Sequence, residues 1–209
     1  DFEFDAKDLV YVRVDRRRKM PATILLRALG YSAEDLLNMF YESEIIYVHG
    51  RNKLDKNTVP SLLRHQRASK DVKDPSSGKV LVKKGKRYTR AALKAIAEAK
   101  DVVIPIDHEE IIGRVAAHDI VDTSTGEVVV NANEVITEEN IEEIYTRKIK
   151  EFQLLYIDDL NVGPYIRNTL LIDKVNTPEE ARLEIYHRLR PGDPATPEAR
   201  PDRPCQRQL

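Results

Sequence analysis

Tryptophan is absent from the 209 residues, cysteine occurs once and methionine twice. The single cysteine, Cys205, excludes an internal disulfide. No apolar run approaches the roughly 20 residues that a membrane helix needs. Neither sign of charge dominates, with 34 basic and 35 acidic side chains and a net charge of −1. That balance excludes a protein that coats nucleic acid by bulk charge, but it leaves room for a local basic patch. Sequence signatures of catalysis are also missing. There is no glycine-rich phosphate loop and no nucleophile–base motif. The five histidines, at 49, 65, 108, 118 and 187, form no metal-ligand spacing. Asp107-His108-Glu109-Glu110 reads as a polar turn rather than a metal site. The opening Asp1-Phe2-Glu3-Phe4 is neither a start methionine nor a signal peptide, and reads as the interior of a longer chain.

What is present fits a globular fold with a charged surface, 41% hydrophobic and 33% charged. Residues 9–14 predict a β-branched strand. Pro21 suits the first turn of a helix that runs to Leu29 and stops at Gly30. Ser32 predicts the cap of a second helix through Phe40. Strands are expected at 44–48, 79–83, 101–106, 112–121, 127–130 and 152–156. Residues 50–79 are polar and carry few signals. Helices are expected from Thr89 to Ala99 and from Thr137, the latter with Ile141, Ile144, Tyr145 and Ile149 on one side. Gly163-Pro164 opens a short helix through Leu171. Thr177-Pro178-Glu179-Glu180 combines a cap, a first-turn proline and a capping box. Ile185, Tyr186 and Leu189 then predict a buried stripe, and Tyr11, Tyr31, Tyr41 and Phe40 predict core packing.

The pattern predicts an α+β chain: a helical domain at 1–43 plus 161–197, interrupted by an inserted mixed module at 44–160. A Pro- and Arg-rich tail at 198–209 is expected to be disordered.

The strongest local feature is a basic run, Arg13 with Arg16, Arg17, Arg18 and Lys19, with Asp15 beside it. Guanidinium forks engage phosphates or the acceptor edge of guanine. A solvated loop with surface ion pairs is the plain alternative. Arg188 and Arg190 fall at a helix C-terminus, where the dipole alone favours cations. They join a binding site only if that end folds back beside Arg16.

Several blocks resemble the second-largest (β) subunit of bacterial RNA polymerase. They are Asp1-Phe2-Glu3-Phe4-Asp5, residues 12–29 from Val12-Arg13-Val14-Asp15-Arg16-Arg17-Arg18-Lys19-Met20-Pro21 onward, Gly163-Pro164-Tyr165-Ile166 and Arg188-Leu189-Arg190-Pro191-Gly192-Asp193-Pro194. The middle also resembles the family, notably Asp122-Thr123-Ser124-Thr125-Gly126-Glu127 in a segment found only in some lineages. The resemblance implies a lobe that forms part of the DNA-channel wall, interrupted by a lineage-specific insertion. It places Asp15, Arg16 and Arg190, with Arg17, Arg18 and Lys19 in the same run, near the non-template strand of the transcription bubble. It implies a nucleotidyltransferase complex, DNA-directed RNA polymerase, in which this segment is itself non-catalytic. No cofactor is expected here, since the family holds its Mg2+ on another subunit. The implied partners are DNA and the α, β′, ω and sigma subunits, with regulators on the insertion and no membrane. The implied location is the bacterial cytoplasm, at the nucleoid. The alternative is an interaction module for regulators or assembly with little DNA affinity of its own. After Pro194 the sequence departs from the family, because two prolines at 201 and 204 prevent the expected amphipathic helix.

Overall fold

The β-branched run at residues 10–12 becomes a strand, and its partners are the residues on either side of it. The structure is a computed structural model and describes residues 1–14, 18–99, 102–158 and 161–192. In chain order the elements are β1 (Phe2–Phe4), β2 (Val10–Val12), β3 (Met20–Pro21), α1 (Ala22–Ala28), α2 (Ala33–Phe40), β4 (Ser43–Gly50), β5 (Lys53–Asn57), β6 (Val72–Lys73), β7 (Val80–Val82), α3 (Arg90–Glu98), β8 (Ile104–Ile106), β9 (Ile120–Val121), β10 (Val128–Val130), α4 (Glu138–Thr146), β11 (Glu151–Leu155), α5 (Tyr165–Ile172) and α6 (Pro178–Leu189). Short 3-10 turns occupy Pro60–Leu63 and His108–Glu110. The mix of helix and strand is that of an α+β protein. Chain contacts group it into two compact units, residues 1–40 with the segment from 157 onward, and residues 41–156. The expected tail at 198–209, with Cys205, lies outside the described residues.

In the first unit β1, β2 and β3 form one antiparallel sheet, with Val12 opposite both Phe2 and Met20. Among the described residues, helices α1, α2, α5 and α6 accompany it. The amide of Val10 donates to Thr169 Oγ1 at 2.9 Å, which ties β2 to α5. Thr169 is fully buried, and its hydroxyl donates in turn to the Tyr165 carbonyl at 2.7 Å. Leu36, Leu37, Ile24, Ile166 and Ala181 fill the core. Arg27 of α1 meets the buried Asp173 at 3.3 Å and donates to the Asn176 carbonyl at 3.2 Å.

The helix ends follow their capping chemistry. Gly30 takes φ +104° after α1, and its N–H donates to Arg27 O while Tyr31 N–H donates to Leu26 O. That pair of reversed bonds satisfies the last carbonyls, and glycine adopts the conformation without a Cβ penalty. Ser32 and Asp35 exchange side-chain-to-amide bonds at the start of α2. At α6 Thr177 Oγ1 accepts from Glu180 N–H, and the Glu180 carboxylate reaches back to the Thr177 amide. Gly163 serves a close approach, since a Cβ there would overlap the Tyr165 ring.

Three expectations for this unit need correction. Pro21 is the last residue of β3, opposite Tyr11, and the N-cap of α1 rather than its first turn. Met20 is drawn into the sheet because its side chain is buried, and Pro21 continues the extended backbone by one residue. Ile185, Tyr186 and Leu189 are half-buried, and the one buried side chain of α6 is Ala181, against which a neighbouring backbone can pack closely. Tyr31 and Phe40 are exposed, whereas Tyr41 is buried and Tyr11 half-buried.

The second unit is built on a four-stranded antiparallel sheet ordered β11-β4-β5-β8. Ile46, Leu54, Ile104, Ile106, Phe152 and Leu154 project into a core that Ile96 of α3 and Ile141 and Ile144 of α4 help to close. Two hairpins, β6–β7 and β9–β10, complete it. Thr89 and Thr137 cap α3 and α4 as their hydroxyls accept from the amides of Ala92 and Asn140. The expected strand at 112–121 is only Ile120–Val121. The residues before it share their bonds among several partners: Gly113 with Ile136, Ala116 with Glu134 and Ala117 with Gln153. A segment divided in this way forms no continuous ladder. The polar 53–57 stretch, conversely, is a strand of the sheet.

Candidate nucleic-acid interface

The basic segment and the end of α6 come together within the first unit. Arg188 Nη1 donates to the carbonyl of Lys19 at 3.1 Å, while its Nε donates to Glu184 Oε1, one helical turn back, at 2.7 Å. The guanidinium fork therefore clamps the backbone at the end of the basic run to the last turn of α6. Around this clamp lies a cavity of about 480 Å3 lined by Arg18, Glu184, His187, Arg188 and Pro191. Two of those five side chains are arginines.

The strand side of the segment is also fixed. Glu3 of β1 pairs with Arg13 at 3.4 Å and with Lys19 at 3.7 Å. Lys19 Nζ stands 4.5 Å from the centroid of the Tyr11 ring, a cation–π distance. Lys19 is thus held by a carboxylate and a ring. Arg190 is exposed and stands outside the cavity lining. Its amide closes α6 by donating to the Tyr186 carbonyl at 2.9 Å, and its guanidinium carbon lies 5.9 Å from the Tyr186 ring.

The site residues divide accordingly. Arg18, Lys19 and Arg190 are described, and all three are exposed. Asp15, Arg16 and Arg17 lie outside the described residues. The sequence sets its fold-back condition at Arg16, which lies outside the described residues; the contact the structure describes is the one between Arg188 and the Lys19 carbonyl. The Arg188–Lys19 carbonyl contact was not legible in the sequence, although the Glu184/Arg188 spacing of four is a signal of a helix-surface pair.

Other polar clusters are structural. Asp107 and Glu110 form a capping box, as a polar turn should. Asp158 Oδ1 accepts from the amides of Asn161 and Val162, each at 2.8 Å. Among the described residues no three His, Cys, Asp or Glu side chains gather so as to hold a metal ion. No described helix is long and apolar enough to cross a membrane.

This chain belongs to the family described as RNA polymerase Rpb2, domain 2, which matches residues 1–115. Along most of its length it is similar to proteins named DNA-directed RNA polymerase subunit beta. The protein of that name from Anaeromyxobacter dehalogenans (strain 2CP-C) is 50% identical over 212 residues, covering 95% of this chain and 15% of the relative. That from Syntrophotalea carbinolica is 55% identical over 196 residues, covering 94% and 14%. That from Sorangium cellulosum is 54% identical over 196 residues, covering 94% and 14%. The chain spans about 15% of the length of the curated relatives it matches. The resemblance read from residues 12–29 and 163–194 is thereby established as kinship.

Proposed function

We propose that this chain is a wall segment of a DNA-directed RNA polymerase, a lobe carrying an inserted module, and that its basic segment contacts the non-template strand of the melted promoter. The observation that carries the reading is the Arg188–Lys19 contact, because it joins the basic run to the helix end bearing Arg190. A melted strand offers phosphates and splayed bases. Arg18 and Arg190 would hold the backbone while Asp15, Arg16, Arg17 and Lys19, from the same segment, flank a base. The lobe would be residues 1–40 with the segment from 157 onward, and the inserted module residues 41–156. The segment works inside an assembly of α, β′, ω and sigma subunits at the bacterial nucleoid and takes no part in the bond-forming step. Magnesium for nucleotide addition is supplied by another subunit.

The test is made in polymerase assembled with a full-length β subunit bearing this segment. Arg190→Ala and Arg18→Ala are each expected to shorten the open-complex lifetime about fivefold, the equivalent of roughly 1 kcal/mol. The effect should depend on the base at the downstream edge of the non-template bubble. Unchanged lifetimes in both variants would sink the DNA contact.

A second reading has one observation behind it. Val121 and Val128 face each other across the β9–β10 hairpin and are both exposed. An apolar cross-strand pair in the open suits docking of a regulator on the second unit. Such docking would persist at salt concentrations that release phosphate contacts.

A further inference from the structure

Charge is distributed unevenly along this chain. Between Arg64 and Arg90 it carries ten Lys and Arg side chains against two Asp, although the whole chain has a net charge of −1. Folding concentrates part of that charge in the second unit. Residues 66–68 run antiparallel beside 85–88, with Ala68 N–H donating to Lys86 O at 3.0 Å and Tyr88 N–H to Gln66 O at 3.2 Å. Arg67 is thereby set opposite Arg87. Like charges directly opposite one another destabilise a strand pair, and a polyanion lying across them reverses the sign of that term.

Further features converge on the same place. Helix α3 begins at Arg90, so the positive end of its dipole adds to the side-chain charge. A cavity of about 220 Å3 is lined by Arg64, His65, Arg87, Tyr88, Arg90 and Leu93, with no carboxylate among them. Arg64, His65, Arg87 and Arg90 are all exposed. His65 adopts φ +70°, a left-handed conformation that costs a non-glycine residue roughly 1 kcal/mol. Tyr88 is buried, and burial above all, with Glu110 and Glu44 nearby, pushes its hydroxyl up to about 12, so it stays neutral.

We propose that this basic cavity and the arginines at its rim form a second nucleic-acid site, which takes neighbouring backbone phosphates of duplex DNA and is separate from the segment at residues 18–19 and the end of α6. Arginine forks suit phosphate oxygens. Leu93 is the one aliphatic side chain in the lining, too little for the apolar anchor that a protein partner needs. The aromatic side chain, Tyr88, is buried and offers no platform for stacking an unpaired base, which favours duplex over single strand. Lys83, Lys84 and Lys86, a few residues before Arg87 in the chain, are exposed and add positive charge to the same segment.

The test is fluorescence anisotropy of a labelled random-sequence duplex titrated with this chain across a salt series. Simultaneous replacement of Arg64, Arg87 and Arg90 by Ala is expected to weaken binding roughly tenfold or more at low salt and to lower the salt slope by about three. Circular dichroism checks folding, and if the triple variant does not fold, Arg87→Gln alone should lower the slope by about one. Replacement of both Arg18 and Arg190 by Ala should leave the contribution of Arg64, Arg87 and Arg90 intact, which separates this site from the promoter-strand contact. An unchanged slope in the folded triple variant, or duplex binding that disappears only with Arg18 and Arg190, overturns the proposal. Polyglutamate binding as tightly as DNA of equal charge would replace nucleic acid with an acidic protein partner and also overturn it.

Discussion

Glu44 Oε2 lies 2.6 Å from Arg114 Nη1 inside the second unit, with only 2% of the Glu44 side chain exposed. Lys56 of β5 approaches the other carboxylate oxygen at 3.6 Å. Burial alone would raise the Glu44 carboxyl, but the positive charges of Arg114 and Lys56 outweigh it and hold the group below its ordinary value of 4.5. A carboxyl depressed by folding contributes stability that is present above its ordinary pKa and lost as pH falls through the folded value. Glu44→Gln should therefore cost about 3 kcal/mol near neutral pH, because it leaves Lys56 buried beside a neutral group. Urea unfolding of both proteins between pH 7 and pH 3 checks this. The gap between them should narrow below about pH 4.5 as the wild-type carboxylate takes up its proton. A gap that does not change with pH would show that the charge contributes nothing.

The pair between Arg27 and Asp173 plays a comparable part in the first unit, joining α1 to the residue that ends α5. The Asp173 side chain is fully buried and that of Arg27 is 10% exposed. Asp173→Ala should destabilise by about 3 kcal/mol, since it strands a guanidinium in the interior. Arg27→Lys keeps the charge but loses the fork that also serves the Asn176 carbonyl, and should cost about 1 kcal/mol. Denaturant midpoints of the two variants rank them, and an Arg27→Lys midpoint equal to wild type would argue against a role for the carbonyl bond.

Thr177→Ala tests the start of α6, the helix that carries Arg188 and Arg190. Loss of the bond to the Glu180 amide should cost about 1 kcal/mol, with Thr177→Asp close to wild type because a carboxylate caps as well as a hydroxyl. Thermal unfolding reads the difference. If Thr177→Asp is as unstable as Thr177→Ala, the capping bond is not what Thr177 contributes.

Much of this was legible because local chemistry decides it. The Thr89, Thr137 and Thr177 starts and the Gly30 stop are capping signals that need only the backbone beside them. The strand at β5 was hidden because its sequence, Lys53-Leu54-Asp55-Lys56-Asn57, has one apolar residue. Lys56 nevertheless faces inward at 6% exposure, because Glu44 on the adjacent strand receives its charge. A hydropathy pattern cannot register a buried ion pair between residues 12 positions apart. The opposite error, a strand across 112–121, arose because apolar residues there are buried without forming a ladder. At the interface the basic run was visible, but its clamp to α6 was not, since no local pattern links Lys19 to Arg188. The charge concentrated between Arg64 and Arg90 could have been found by counting charge in windows rather than over the whole chain.

Arg188 gives the sharpest test of the interface, because its fork makes two contacts that a lysine cannot make together. Nε reaches Glu184 Oε1 at 2.7 Å and Nη1 reaches the Lys19 carbonyl at 3.1 Å. An ammonium group keeps the charge but is a single point, so Arg188→Lys preserves the local field while releasing the backbone. In polymerase assembled with the full-length β subunit, Arg188→Lys and Arg188→Ala should shorten open-complex lifetime to a similar degree, with denaturant midpoints of this chain almost unchanged. Positioning of residues 18–19 then governs the lifetime, and Arg188 acts through them rather than on DNA. If Arg188→Lys instead matches wild type while Arg188→Ala does not, positive charge at the end of α6 is what the strand senses and the clamp is incidental.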